Sequence, residues 1–64
     1  MDWNYYINKK IFVILKNKRQ YSGIVLEVFK EGNPTIIFMK IKDMKERPVV
    51  FPTNQIEVIE EEGF

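Results

Sequence analysis

The sequence predicts a small all-β domain: a five-stranded, strongly bent barrel preceded by a short helix. Three observations carry that expectation. Residues 9–16 place Ile11, Phe12, Val13, Ile14 and Leu15 together with neither Gly nor Pro, and β-branched and aromatic runs of this kind favour strands. Turn formers separate the apolar runs, at Asn17-Lys18, at Glu31-Gly32-Asn33-Pro34, across 43–47 and across 52–55,. A lone glycine, Gly23, interrupts the second run. Inside a strand that signals a sharp bend or a close backbone approach, the device that turns a sheet into a barrel.

Each element follows in order. Trp3, Tyr6 and Ile7 stand at the i, i+3, i+4 spacing of one helical face, with Asp2 placed to cap the first turn,. A helix over 2–8 is too short to persist in water, so it is expected to lie over an open barrel end. The first strand is 9–16, with Ile11, Val13 and Leu15 on one face and Phe12 and Ile14 on the other. Asn17-Lys18 reads as a two-residue hairpin turn, with Asn17 accepting the positive φ. The second strand, 19–30, bends at Gly23, and Tyr21, in phase with Gly23 and Val25, belongs to the core. The third strand is 35–42, the fourth 48–52 and the fifth 56–60. The whole of 1–64 is one domain.

Sixty-four residues bury only about 60% of the surface of the unfolded chain, near the lower limit for folding alone. The chain has neither Cys nor His, which removes disulfides and the usual zinc ligands, so no cofactor is expected and a partner subunit is the remaining source of stability. No run approaches the roughly 20 apolar residues of a membrane span. The start, Met1-Asp2-Trp3-Asn4, lacks the basic and apolar regions of a secretory signal, so a cytoplasmic location is expected. For catalysis there is no nucleophile–base pair: the sole Ser is Ser22, and no glycine-rich phosphate loop is present,. The expectation is a binding protein and not an enzyme.

The net charge of +1 hides an uneven distribution. Residues 9–19 hold five bases (Lys9, Lys10, Lys16, Lys18, Arg19) and no acid, whereas 57–62 hold four Glu and no base. The bases are candidates for phosphate contacts, against the plainer reading of solvated strand ends. Asn33 and Asn54 are candidates for hydrogen bonds to a base edge, against the plainer reading of turn formers. The outward positions Phe12, Ile14, Ile24 and Leu26 are apolar where a lone barrel should be polar, with Ile36 and Phe38 beside them. A second subunit is the expected cover.

The stretch 7–16 resembles the end of the first helix and the first strand of Sm and Sm-like proteins. The run Leu15-Lys16-Asn17-Lys18-Arg19-Gln20-Tyr21-Ser22-Gly23 is similar to that family's first motif, and residues 49–59 have the length and apolar spacing of its second. The resemblance implies an Sm-like barrel and single-stranded RNA as ligand. It implies a homo-oligomer, possible as a ring, in which the fourth strand of one subunit pairs with the fifth of the next. Carried onto this chain, the base contacts are Asn33 and Asn54, next to Thr53, and with the basic Lys30, Lys18 and Arg19 these make up the expected nucleic-acid contacts. The expected subunit interface joins the outward Phe12, Ile14, Ile24 and Leu26 to Val49, Val50, Phe51 and Val58 of the fourth and fifth strands, whose pairing the resemblance implies. The sequence departs from the family where Asn17-Lys18 replaces Asp-Gly, Phe29 replaces an Asp, and Pro52-Thr53 replaces Arg-Gly. The last change opens the alternative of a protein-interaction scaffold whose RNA pocket is lost. A small DNA-binding barrel is a further alternative.

Overall fold

Gly23 decides how this chain can fold. The computed structural model describes residues 2–62. Its strands are β1 (Lys10–Leu15), β2 (Gln20–Glu31), β3 (Ile36–Asp43), β4 (Pro48–Pro52) and β5 (Ile56–Glu61). All are antiparallel, in one sheet of order β4-β3-β2-β1-β5. The 12-residue β2 serves two neighbours: Gln20–Ile24 pair with β1, and Gly23–Glu31 pair with β3. At the overlap Gly23 lies opposite both Ile11 and Asp43. A Cβ there would collide with the Lys42 carbonyl group and the Asp43 Cα, backbone atoms that cannot rotate away. Just beyond, the β2–β3 register shifts between Val25 and Glu27, so Leu26 is the extra residue of a bulge that adds to the bend,.

The bend folds the sheet over one core. Ile11, Val13, Leu15, Val25, Met39, Ile41 and Phe51 are buried, and β1 alternates half-buried and buried residues along its length. Five of these side chains are fully shielded from water, at about 1.5–3 kcal/mol of transfer free energy each. Tyr21 packs against this cluster and stacks on Phe51. The architecture is nevertheless one open sheet: β4 and β5 are its two edges and no ladder joins them.

Two local expectations are corrected. The N-terminal helix of 2–8 is a single 3-10 turn, Trp3–Tyr6, capped by Asp2, whose Oδ1 accepts the Asn4 N–H at 3.0 Å. It stops because the next residues bind β2 instead: Ile7 bridges Val25, and the Asn8 N–H donates to the Val25 carbonyl at 2.8 Å. Trp3, Tyr6 and Ile7 still pack on the core. The β1–β2 connection is a three-residue loop, not a two-residue turn. Lys18 N–H donates to the Leu15 carbonyl and Leu15 N–H to the Arg19 carbonyl, and Lys18, not Asn17, takes the positive φ of 73°. Asn17 instead accepts the Arg19 N–H through Oδ1. The β3–β4 loop repeats the pattern: Glu46 N–H donates to Asp43, Asp43 N–H to Arg47, and Glu46 has a φ of 62°.

Candidate nucleic-acid interface

The antiparallel β1–β5 ladder brings the basic and acidic segments together. Lys9 pairs with Glu61 and Lys10 with Glu62, both at 3.6 Å, and Lys18 pairs with Glu57 at 3.2 Å. Side-chain hydrogen bonds reinforce two of these glutamates: Tyr5 Oη donates to Glu61 and Ser22 Oγ to Glu62. Lys9 also sits 4.0 Å from the centre of the Tyr5 ring,. The expected phosphate-attracting strand is therefore largely neutralised from within. Lys42 and Arg47 are taken by Glu46 and Asp43. Among the described residues the cations without an acidic partner are Lys16, Arg19, Lys30, Lys40 and Lys45.

Of the expected nucleic-acid residues, Arg19 stands in the β1–β2 loop beside Lys16, and both are exposed. A second 3-10 turn, Thr53–Gln55, closes against that loop, with Lys16 N–H donating to the Gln55 carbonyl at 2.8 Å. Its other end is tied to β3 by Thr53 Oγ1, which donates to the Ile37 carbonyl at 2.9 Å. Asn54 is thereby held, exposed, between the cationic loop and the start of β3. Thr53 is buried and its hydroxyl is committed, so it is an anchor of the turn and presents nothing to a ligand. Lys18 is engaged by Glu57. Asn33 is exposed at the tip of the β2–β3 hairpin after Gly32 (φ 94°), and no hydrogen bond joins it to Asn54 among the described residues. Lys30 lies on the core-side face of β2 opposite Ile37, its side chain exposed.

The expected interface residues divide by strand parity. Ile24, Leu26, Val50 and Val58 are exposed on the outer face, with Phe12 and Ile14 half-buried. Phe51 is a core residue, so its side chain is not surface, and Val49 is half-buried and packs on the core from β4. Phe29 and Phe38, a cross-strand pair, stack at 5.5 Å on the outer face, and Phe38 also lies opposite Pro52.

The free edges differ in chemistry. Proline has no N–H, so Lys42↔Pro48 and Phe38↔Pro52 are pairs without ladder hydrogen bonds, and Val49 and Phe51 carry the bonds to β3,. The outward edge of β4 therefore offers the carbonyls of Pro48 and Val50 but only one N–H, that of Val50, while Pro52 caps the Thr53–Gln55 turn,. The acidic β5 edge carries no such restriction.

The described residues contain no group of three His, Cys, Asp or Glu able to hold a metal ion, and no helix long and apolar enough to cross a membrane. Asp43 is held below the ordinary carboxylate range, chiefly because its Oδ1 accepts the Arg47 N–H and also that of Lys45, at 2.8 and 2.9 Å,. Comparison with known proteins finds no matching family model, no matching curated protein and no matching solved structure.

Proposed function

We propose that this chain is a non-enzymatic, Sm-like protein that binds single-stranded RNA as a homo-oligomer. The observation that carries the ligand is the junction of the unpaired Lys16 and Arg19 with the 3-10 turn that presents Asn54. Cations at a loop supply phosphate affinity, and an adjacent amide can read a base edge that is free only in a single strand. Oligomerisation rests on the exposed Ile24, Leu26, Val50 and Val58 and on two unpaired sheet edges, which isolated proteins rarely leave open. In the assembly the β4 edge of one copy meets the β5 edge of the next, with the β4 carbonyls accepting from β5 and the Val50 N–H donating back.

The test is fluorescence anisotropy with labelled uridine, adenine and mixed oligonucleotides at two salt concentrations. Saturable binding that weakens with salt and exceeds binding to duplex DNA is expected. A folded protein that binds none of them overturns this function. The scaffold alternative has one observation of its own, the neutralisation of Lys9, Lys10 and Lys18 by β5, and that result would favour it.

A further inference from the structure

In two concavities of the described residues most of the charged and aromatic side chains are already engaged with one another. Around Gly23 the cations Lys10 and Lys42 are held by Glu62 and Glu46. In the hollow between β2 and the β3–β4 loop, the Tyr21 ring is stacked on Phe51, Ser22 donates to Glu62 and Arg47 pairs with Asp43. A third cleft, of about 200 Å³, is different. It lies between the N-terminal 3-10 turn and the far half of the β2–β3 hairpin, and Asp2, Trp3, Asn4, Val28, Lys30 and Ile37 line it.

Part of its chemistry is free, although the Trp3 ring also packs on the core and lies 6.2 Å from that of Tyr6. Trp3 is half-buried, and with Val28 and Ile37 it supplies apolar walls. Lys30 has no acidic partner, and the Asn4 side-chain amide makes no hydrogen bond among the described residues. Asp2 uses only Oδ1, on the Asn4 N–H. The volume is below the roughly 300–1,000 Å³ of sites for drug-sized ligands, and it suits a single flat ring system. An aromatic wall, a free amide and carboxylate oxygen, and one free ammonium match the parts of a nucleotide: a π-face, a hydrogen-bonding edge and a phosphate.

We propose that this cleft is a nucleotide subsite, taking one base against Trp3 with its edge on Asn4 and Asp2 and its phosphate on Lys30. The inference rests on the RNA-binding reading and gives it a second point of contact, away from the Lys16–Arg19 loop. The base-and-phosphate unit could arrive within a strand or as a free mononucleotide.

Trp3 is the only tryptophan in the chain, so its emission reports on the cleft directly. Adenosine 5′-monophosphate and oligoadenylate are each titrated against the intact protein, with ribose 5-phosphate as the probe that lacks a base. Saturable quenching by the first two, and none by ribose 5-phosphate, is expected. Lys30→Gln should weaken the response by about tenfold, the scale of one lost charge-assisted contact, whereas Lys45→Gln, an unpaired lysine outside the cleft, should leave it within about twofold. Circular dichroism confirms that each variant is folded. Quenching by oligoadenylate alone places the unit within a strand, and quenching by both admits the free nucleotide. Oligoadenylate that binds by anisotropy but leaves Trp3 emission unchanged overturns the subsite and spares the RNA-binding reading. Equal effects of the two lysine variants also overturn it. Quenching by the mononucleotide with no oligonucleotide binding overturns the RNA reading and keeps the subsite.

Discussion

Tyr21 lies nearly parallel to Phe51, ring centroids 6.0 Å apart and planes 17° from coplanar, although β3 separates their strands. Phe51 is opposite Met39, which is opposite Val28. Tyr21 is therefore seven residues along β2 from the position level with Phe51, about 23 Å in a flat strand. Only a sheet folded back on itself brings the two rings together.

That fold has no room for a side chain at Gly23. The clash is with backbone on β3, so the strands themselves must separate. Gly23→Ala is expected to lose about 3 kcal/mol, the upper end of overpacking costs. A chain of this length has roughly 3–10 kcal/mol in all. Thermal unfolding followed by circular dichroism checks this, and a melting point within a few degrees of the parent would refute it.

The two repeated loops predict the opposite sign. Lys18 and Glu46 hold the left-handed conformation that costs a side-chain-bearing residue about 1–2 kcal/mol and glycine little,. Lys18→Gly and Glu46→Gly should each stabilise by about 0.5–1 kcal/mol after the greater freedom of the unfolded chain is counted. The surface ion pairs lost with them are worth little,. A lower urea midpoint for either variant contradicts this reading.

Asp43 makes the β3–β4 loop acid-sensitive. Its folded-state pKa is depressed below 3.8 by the Arg47 and Lys45 N–H groups. The stabilisation is therefore complete above the unfolded value, and it is lost as pH falls through the folded one, in the window below about pH 4. Asp43→Asn keeps an acceptor oxygen and removes the titration, so its urea midpoint should fall less between pH 5 and pH 3 than that of the parent. Parallel curves would show that Asp43 does not contribute.

If β5 shields the basic strand, neutralising Glu57, Glu61 and Glu62 to Gln should strengthen oligonucleotide binding. The same change at Glu27, Glu31 and Glu46 alters net charge equally but frees only Lys42. The first triple variant should bind several-fold more tightly than the second in anisotropy titrations. Equal gains would mean that net charge alone is responsible.

Self-association is expected to raise the solution mass above 7.7 kDa at micromolar concentration. Leu26→Lys and Val50→Lys, both at exposed outer-face positions, should lower it without unfolding the subunit. Light scattering that gives the monomer mass at every concentration rules out this assembly.

Much of the architecture was legible in the residues because it is local. Alternating apolar positions, turn formers and one interior glycine marked five strands whose ends agree with the structure to within about one residue, and they identified the close approach at Gly23,. The site was less legible. Thr53 and Phe51 look like surface residues beside a loop, yet parity and a hydrogen bond to Ile37 bury them. Which strand lies beside which is not written in any short stretch. The β1–β5 register alone decided that Lys9, Lys10 and Lys18 would be answered by the chain's own glutamates. Likewise, the packing of the first turn against the β2–β3 hairpin put Trp3 and Lys30, 27 positions apart, around one cleft. Short-range periodicity sets which face a side chain takes. Long-range pairing sets what it meets there, and that depends on free energies summed over the whole sheet.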